Sequence, residues 1–174
     1  DESFPTKFFD LDRCFMITRY PTSDGHELVL INSHMSAYDK GGTSRAQQLA
    51  LLTKIMSEER AKGNYVIAGG DWNHAISGSL TLYPSVQQVP DWVAELKDSD
   101  LPEGFSVVAP DNLNDVTTCR GDDIPYEKDK TYTTTVDGWI VSDNVIATAR
   151  NIDTQFAYSD HIPVLLSFTQ KSKE

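Results

Sequence analysis

The chain is short of positive charge. It carries 15 Lys and Arg against 26 Asp and Glu, a net charge of −11 over 174 residues. Gripping an extended polyanion through bulk charge needs Lys and Arg to displace counterions, so this balance argues against such a partner. It does not exclude a phosphate ester held through a bound cation, because the ion brings its own positive charge. Cysteine is nearly missing. Cys14 and Cys119 make neither a metal-ligand spacing nor a disulfide framework, and whether they pair is open. No run approaches the roughly 18–20 apolar residues of a membrane-crossing helix, and no signal-peptide pattern is present. Repeats, low-complexity segments and interdomain linkers are absent too. The chain also lacks an initiating Met: it opens Asp1-Glu2-Ser3-Phe4-Pro5, as a processed product or a piece of something longer would. What remains is 39% hydrophobic, enough at this length for one domain with a core.

The stretch that organises the rest is Tyr65 to His74, Y-V-I-A-G-G-D-W-N-H. A short apolar, mostly β-branched run stops abruptly at polar groups, as a buried strand of an α/β sheet does. Ligands of such sheets bind outside the carboxyl ends of the strands. Gly69 and Gly70 let the backbone turn sharply or approach a ligand closely. Asp71 and Asn73 are two apart, so in extended chain both side chains point the same way. A carboxylate and an amide together suit a water and an oxyanion. A strand followed by an Asx-rich turn would look the same.

Along the chain, residues 1–12 are irregular. Arg13 to Tyr20 and Glu27 to His34 read as a hairpin around Asp24-Gly25. Tyr38 to Thr43 is a flexible link. A helix is expected from Ser44 to Lys62, with Ser44 and Gln47 as a capping box, Leu49, Leu52 and Met56 on the apolar face, and Gly63 just past the end. Tyr65 to Gly69 is the next strand, so strand, helix and strand make a sheet with a covering helix. Ala75 to Pro90 reads as a long loop and Pro90 to Asp98 as a short helix with Trp92 inward. Asp111 to Lys130 is polar and holds Thr117-Thr118-Cys119-Arg120. Strands follow at Phe105–Ala109, at Thr131–Thr135 and Val136–Val141 with a break near Asp137-Gly138, at Asn144–Arg150 and at Val164–Phe168. Tyr158 to Pro163 is a turn, and the Lys171–Glu174 tail is expected to fray.

Four polar groups then sit at strand ends against apolar neighbours: His34; Asp71 with Asn73; Asp137; and Asp160 with His161. Any one of them is more simply a satisfied structural residue. Together they point to a shared site, since charged groups rarely sit against a core unless paired or bound to metal. N-S-H-M-S, G-G-D-W-N-H, V-D-G-W-I-V and Y-S-D-H-I-P, in this order from about Arg13 to Phe168, resemble the motifs of the endonuclease/exonuclease/phosphatase superfamily. Trp72 stands where that pattern usually has Phe. The resemblance implies an α/β fold, the C-terminal part of a four-layered α/β sandwich with helices outside mixed β-sheets, residues 1–174 forming a single partial domain. It implies divalent-cation hydrolysis of a phosphate ester or phosphodiester, with Mg²⁺ or Mn²⁺. Asp160 would help bind the metal. His161 would be the catalytic histidine, oriented by Asp137, and Asp71 would position or deprotonate the attacking water. Asn73 and His34 would hold the phosphate. A histidine near neutral pKa suits proton handling, and a carboxylate partner fixes its tautomer.

The family's principal metal-binding Glu and an early Asn belong to its N-terminal half, and no Q-E-like motif occurs here. Glu27, Glu58, Glu59 and Glu95 read as solvated hairpin or helix positions. The chain is therefore expected to be the C-terminal half of a family member. The missing half would remain bound, or the chain would self-associate through the inter-sheet face, with Val29, Ile31, Val66 and Leu165 as candidates for one side or the other of the sheet. The alternative is a non-catalytic fragment or binding module. A calcineurin-type two-metal phosphatase fits less well: it needs a separate G-N-H, and G-D-W-N-H here is one run. A small molecule, a lipid head group and a nucleic acid all stay open as the phosphate-ester substrate.

Overall fold

The computed structural model describes residues 13–39 and 41–171. The irregular stretch read at 1–12, Lys40 in the link and the last three residues of the tail lie outside the described residues. Lys171 itself still donates its N–H to Asn144 O.

β1 (Phe15–Pro21) and β2 (Glu27–His34) form the expected antiparallel hairpin. Its turn is tied by the Asp24 carboxylate, which accepts from Thr22 Oγ1 and the His26 N–H. α1 (Thr43–Ala61) crosses back to β3 (Tyr65–Asp71), which runs parallel to β2. β9 (Asp137–Ser142) then pairs antiparallel with β3, and β6 (Phe105–Val108) with β9. The five-stranded sheet has the order β1-β2-β3-β9-β6.

Period-two alternation divides this sheet into two faces. Val29, Ile31, Val66, Ala68 and Ile140 point to one face, where Leu52 and Met56 of α1 cover them. Tyr65, Ile67 and Val141 point to the other, packed against β10 (Val145–Asn151) and β11 (Val164–Gln170), an antiparallel pair that lies over part of it. Val29, Ile31 and Val66 are thus fully covered, because they face the helix. Exposed apolar groups lie elsewhere, among them Met16 at 65% and Tyr20 at 50% on β1 and Leu165 and Phe168 on β11.

Several local expectations give way to tertiary pairing. α1 starts at Thr43 without a side-chain cap; Gly42 is the N-cap in left-handed conformation. The Asp39 carboxylate instead takes the Arg45 N–H, so a loop group satisfies the first turn in place of the Ser44–Gln47 box. Gly63 ends the helix as expected, at φ +88°. Ala75 to Pro90 is not wholly loop: β4 (His74–Ile76) lies there and pairs in parallel with β5 (Ala94–Leu96). That pairing also removes the expected helix over Pro90–Asp98, since nine residues carry little helical stability of their own. β7 (Cys119–Arg120) and β8 (Thr133–Thr134) form a short antiparallel ribbon. The break before β9 falls at Thr135–Val136 rather than at Asp137-Gly138. There the buried Thr118 Oγ1 accepts the N–H groups of both Val136 and Asp137.

Glu59 also departs from expectation. It is 3% exposed, not on a solvated face. Both its oxygens meet the Arg19 guanidinium, at 2.7 and 2.8 Å, and Lys62 Nζ and Asn64 Nδ2 also donate to it. Those bonds, Arg19's first, hold its pKa down to about 2 from an ordinary 4.5. A depressed carboxylate adds stability above its unfolded pKa and loses it as pH falls toward the folded value. Glu59→Gln should cost about 1–2 kcal/mol at pH 7, discounted for the partly exposed Arg19. The deficit should shrink between pH 4.5 and 2. Urea unfolding of both proteins across that range checks it, and a pH-independent difference would remove Glu59 from the account.

Candidate active site

The register of the central strands puts three side chains in a row. His34 stands opposite Asp71 on β3, and Asp71 opposite Asp137 on β9. Residues directly opposite share a face, with Cβ atoms about 4.5–5.5 Å apart. The two glycines make this register possible. A Cβ on Gly70, at φ +145°, would lie 1.8 Å from Ser33 O, and one on Gly69 would lie 2.3 Å from the Trp139 ring. Trp72 is buried in the core behind the row, its backbone N–H donating to Val136 O.

Asp71 Oδ2 lies 3.2 Å from His34 Nε2 and 3.9 Å from His161 Nε2. Its Oδ1 accepts the Asn73 N–H at 2.8 Å. Asn73 is not in extended chain: β3 ends at Asp71, and Asn73 turns back at φ +47°. The same-side argument from strand alternation therefore does not apply. The Asx turn brings the two side chains together instead, with Asn73 Nδ2 3.2 Å from Asp71 Oδ2 and 2.8 Å from Met35 O.

His161 arrives on the turn before β11. Its Nδ1 is 2.8 Å from Asp137 Oδ2, and the Nδ1–H donates to that carboxylate. Thr118 to Arg120 holds the arrangement: Arg120 N–H bonds Asp160 O, Ile162 N–H bonds Thr118 O, and Cys119 is bridged to His161. Asp160 lines the same cleft but lies outside the tightest cluster. Among the described residues that cluster is Asp71, Asp137 and His161, with one ligand atom from each inside 4.8 Å. The cleft has a volume of about 760 Å³; His34, Asp71, Asn73, Asp160 and His161 line it, and Asp137 stands behind His161. Tyr38 and Trp92 form one rim, ring centroids 5.1 Å apart.

The electrostatics separate the groups. The bond to Asp137 pushes His161 up to about 11, so it is an imidazolium at neutral pH. Burial, and then the charge of Asp137, raise Asp71, against the opposing pull of the Asn73 N–H and the two histidines.

Sequence reasoning missed three residues here. Thr118 was visible only as part of a polar stretch, and Cys119 was weighed only for metal spacing and for pairing with Cys14. Arg45 is 1% exposed and donates to the backbone carbonyls of Asn73, Trp92 and Asp39, tying the Asp71 turn to the aromatic rim. An arginine in helical register with Leu49, Leu52 and Met56 was the signal for it.

Asp137→Asn should bring His161 from about 11 down toward the ordinary 6.5, read by NMR titration of its ring protons. A raised histidine stabilises most below its unfolded pKa and loses that contribution as pH rises through the folded value. The stability deficit of the variant should therefore shrink between pH 6.5 and 11. An unshifted His161 titration would exclude the pair.

No family model and no curated protein matches the chain. Solved structures do. TDP2 of D. rerio, in complex with a single-strand DNA product, aligns with TM-score 0.61 at 18% identity, over 91% of this chain and 62% of that one. The human Nocturnin catalytic domain with bound sulfate aligns with TM-score 0.54 at 18% identity, over 91% and 54%. An endonuclease/exonuclease/phosphatase family protein from Bacteroides thetaiotaomicron aligns with TM-score 0.53 at 16% identity, over 92% and 56%. The chain thus spans between half and about three fifths of the length of these relatives. It has the α/β fold of the endonuclease/exonuclease/phosphatase proteins.

Proposed function

We propose that the protein hydrolyses a phosphate ester or phosphodiester with the help of Mg²⁺ or Mn²⁺. The observation that carries this reading is the row of His34, Asp71 and Asp137, closed by His161. Two groups with oppositely useful protonation states face one cleft, which is what acid–base work at a phosphorus centre needs. Asp71, its pKa raised, takes the proton of an attacking water or orients it. His161, held positive by Asp137, presents Nε2 to the phosphoryl oxygens and stabilises charge developing there. His34 and Asn73 flank Asp71 and hold the phosphate.

The residues fit a hard cation. Asp160 offers a carboxylate on the cleft wall, and Mg²⁺ and Mn²⁺ take oxygen ligands. Asp160 would hold the ion with a Glu from outside this chain, and the ion would neutralise charge on the phosphate. Part of the fold being elsewhere is supported by the coverage of the relatives and by the exposure of Met16, Tyr20 and Phe168. A nucleic-acid substrate is favoured by the single-strand DNA product on TDP2 of D. rerio. Asp91, Asp122 and Asp123 against Arg13 and Arg120 around the cleft favour an ester with few phosphates over a duplex.

With the missing part restored, the protein should turn over bis-p-nitrophenyl phosphate with Mg²⁺ or Mn²⁺. His161→Ala and Asp137→Asn should each lower kcat by about 10²–10⁴. Turnover unchanged in His161→Ala would end this reading, and robust turnover by residues 1–174 alone would end the claim of a missing ligand. In sedimentation, residues 1–174 alone should self-associate through the uncovered face. A clean monomer would argue that this face needs no further layer.

A further inference from the structure

Six arginines stand in a chain with 26 Asp and Glu. Four of them are paired with carboxylates: Arg19 with Glu59 at 2.7 Å, Arg45 with Asp39 at 3.7 Å, Arg60 with Asp143 at 2.6 Å and Arg150 with Asp111 at 2.9 Å. The other two, Arg13 and Arg120, form no ion pair among the described residues, and both line the catalytic cleft. Acids are at hand there, since Asp122, Asp123 and Asp160 line the same cleft. Asp123 turns instead to Gln87 Nε2 at 2.8 Å.

Both side chains are fixed at the stem and open at the tip. The Nε of each is shut off from solvent and has no acceptor. Arg13 makes no side-chain hydrogen bond among the described residues, and the Arg120 guanidinium makes one, from Nη1 to Gly121 O at 2.8 Å. A guanidinium held this way keeps outer N–H groups for a ligand, and its planar fork matches the oxygens of a phosphate. A stem already packed loses little freedom on binding.

The two stand at opposite ends of the polar row. Sheet order carries Asp137, Asp71 and His34 on toward β1. Phe15 of β1 pairs with Ser33, and Arg13 lies two residues before it, at the His34 end. Arg120 belongs to the His161 end, where its backbone N–H bonds Asp160 O and Cys119 is bridged to His161.

We propose that Arg13 and Arg120 grip a second phosphate of the substrate beside the one that is cut, so that the ester is a phosphodiester with a neighbouring phosphate, as in a nucleotide strand, rather than an isolated one. The acidic rim still opposes a long polyanion, and two unpaired guanidinium groups within it admit a single neighbour. Which phosphate is cut rests on the hydrolytic reading above; the grip on the second does not.

The test uses the protein with its missing part restored. Thymidine 5′-(p-nitrophenyl phosphate) is compared with the same ester carrying a 3′-phosphate. Both present the same bond for cleavage, so a general loss of activity cancels in the ratio of their kcat/KM values. The 3′-phosphate should raise kcat/KM about tenfold, chiefly through KM, as one charged hydrogen bond would. In the double variant Arg13→Gln, Arg120→Gln the ratio should fall to near one. A ratio near one in the parent protein, or one that survives in the variant, overturns the grip; arginines that clamp the cut phosphate itself would slow both esters alike and leave the ratio standing. If the variant does not fold, the parent protein in rising NaCl decides: screening should bring the ratio toward one, and a salt-independent ratio overturns the grip. If neither ester is cut, the hydrolytic reading fails by itself, and calorimetry decides the grip. Thymidine 3′,5′-bisphosphate should then bind about tenfold tighter than thymidine 5′-monophosphate, and equal affinities overturn it.

Discussion

Asp71 and Asp137 stand opposite one another on adjacent strands, and the repulsion between them governs the rest of the site. With their oxygens inside 4.8 Å, two unit charges at an effective dielectric near 20 repel by about 3 kcal/mol. Partly buried carboxylates stay so close only if positive charge or N–H groups surround them. Asp137 has the His161 ring at 2.8 Å, and Asp71 has the Asn73 N–H and His34. This is why His161 must be positive and why the turn that carries it is tied down by Thr118 and Arg120. Burial first, and then this repulsion, raise Asp71, while the bond to Asp137 raises His161, so one cleft holds a more basic carboxylate beside a cation.

Much of this geometry was legible because sheets convert a linear pattern into a spatial one. N-S-H, G-G-D and V-D-G each end or begin an apolar run at a polar residue. Once β2, β3 and β9 pair in the register their buried faces demand, the polar ends fall side by side. The hairpin, the crossover helix and the last strand were readable for the same reason: each is long enough to show a period. Gly69 and Gly70 were readable as a close approach, although what approaches is the Trp139 ring and the Ser33 carbonyl.

What was not legible is non-local and short. β4, β5 and β7 have two or three residues each and exist through partners distant in sequence, whereas β8 falls inside the strand read at Thr131–Thr135. No periodicity marks the first three. Asn73 turns left-handed because its own amide and N–H meet Asp71, which is the Asx turn weighed as the alternative to extended chain. Glu59 looks like a helix-surface residue until Arg19 of β1 is placed against it. Cys119 stands beside His161 only through a bridge between distant chain segments, which no spacing in the sequence marks.

The layers place a further constraint on the site. α1 covers one face of the sheet, while β10 and β11 cover only part of the other. The uncovered part lies over β1 and β2, where Met16 pairs with Asn32. Leu30, Asn32 and His34 alternate onto that same face, and His34 continues it into the cleft row. A segment that packs on Met16 and Leu30 therefore reaches the rim beside His34. For such a segment, covering the apolar face and reaching the polar row would be a single structural event. A side chain brought in by such a segment would be held there by hydrophobic packing, the dominant favourable term in association.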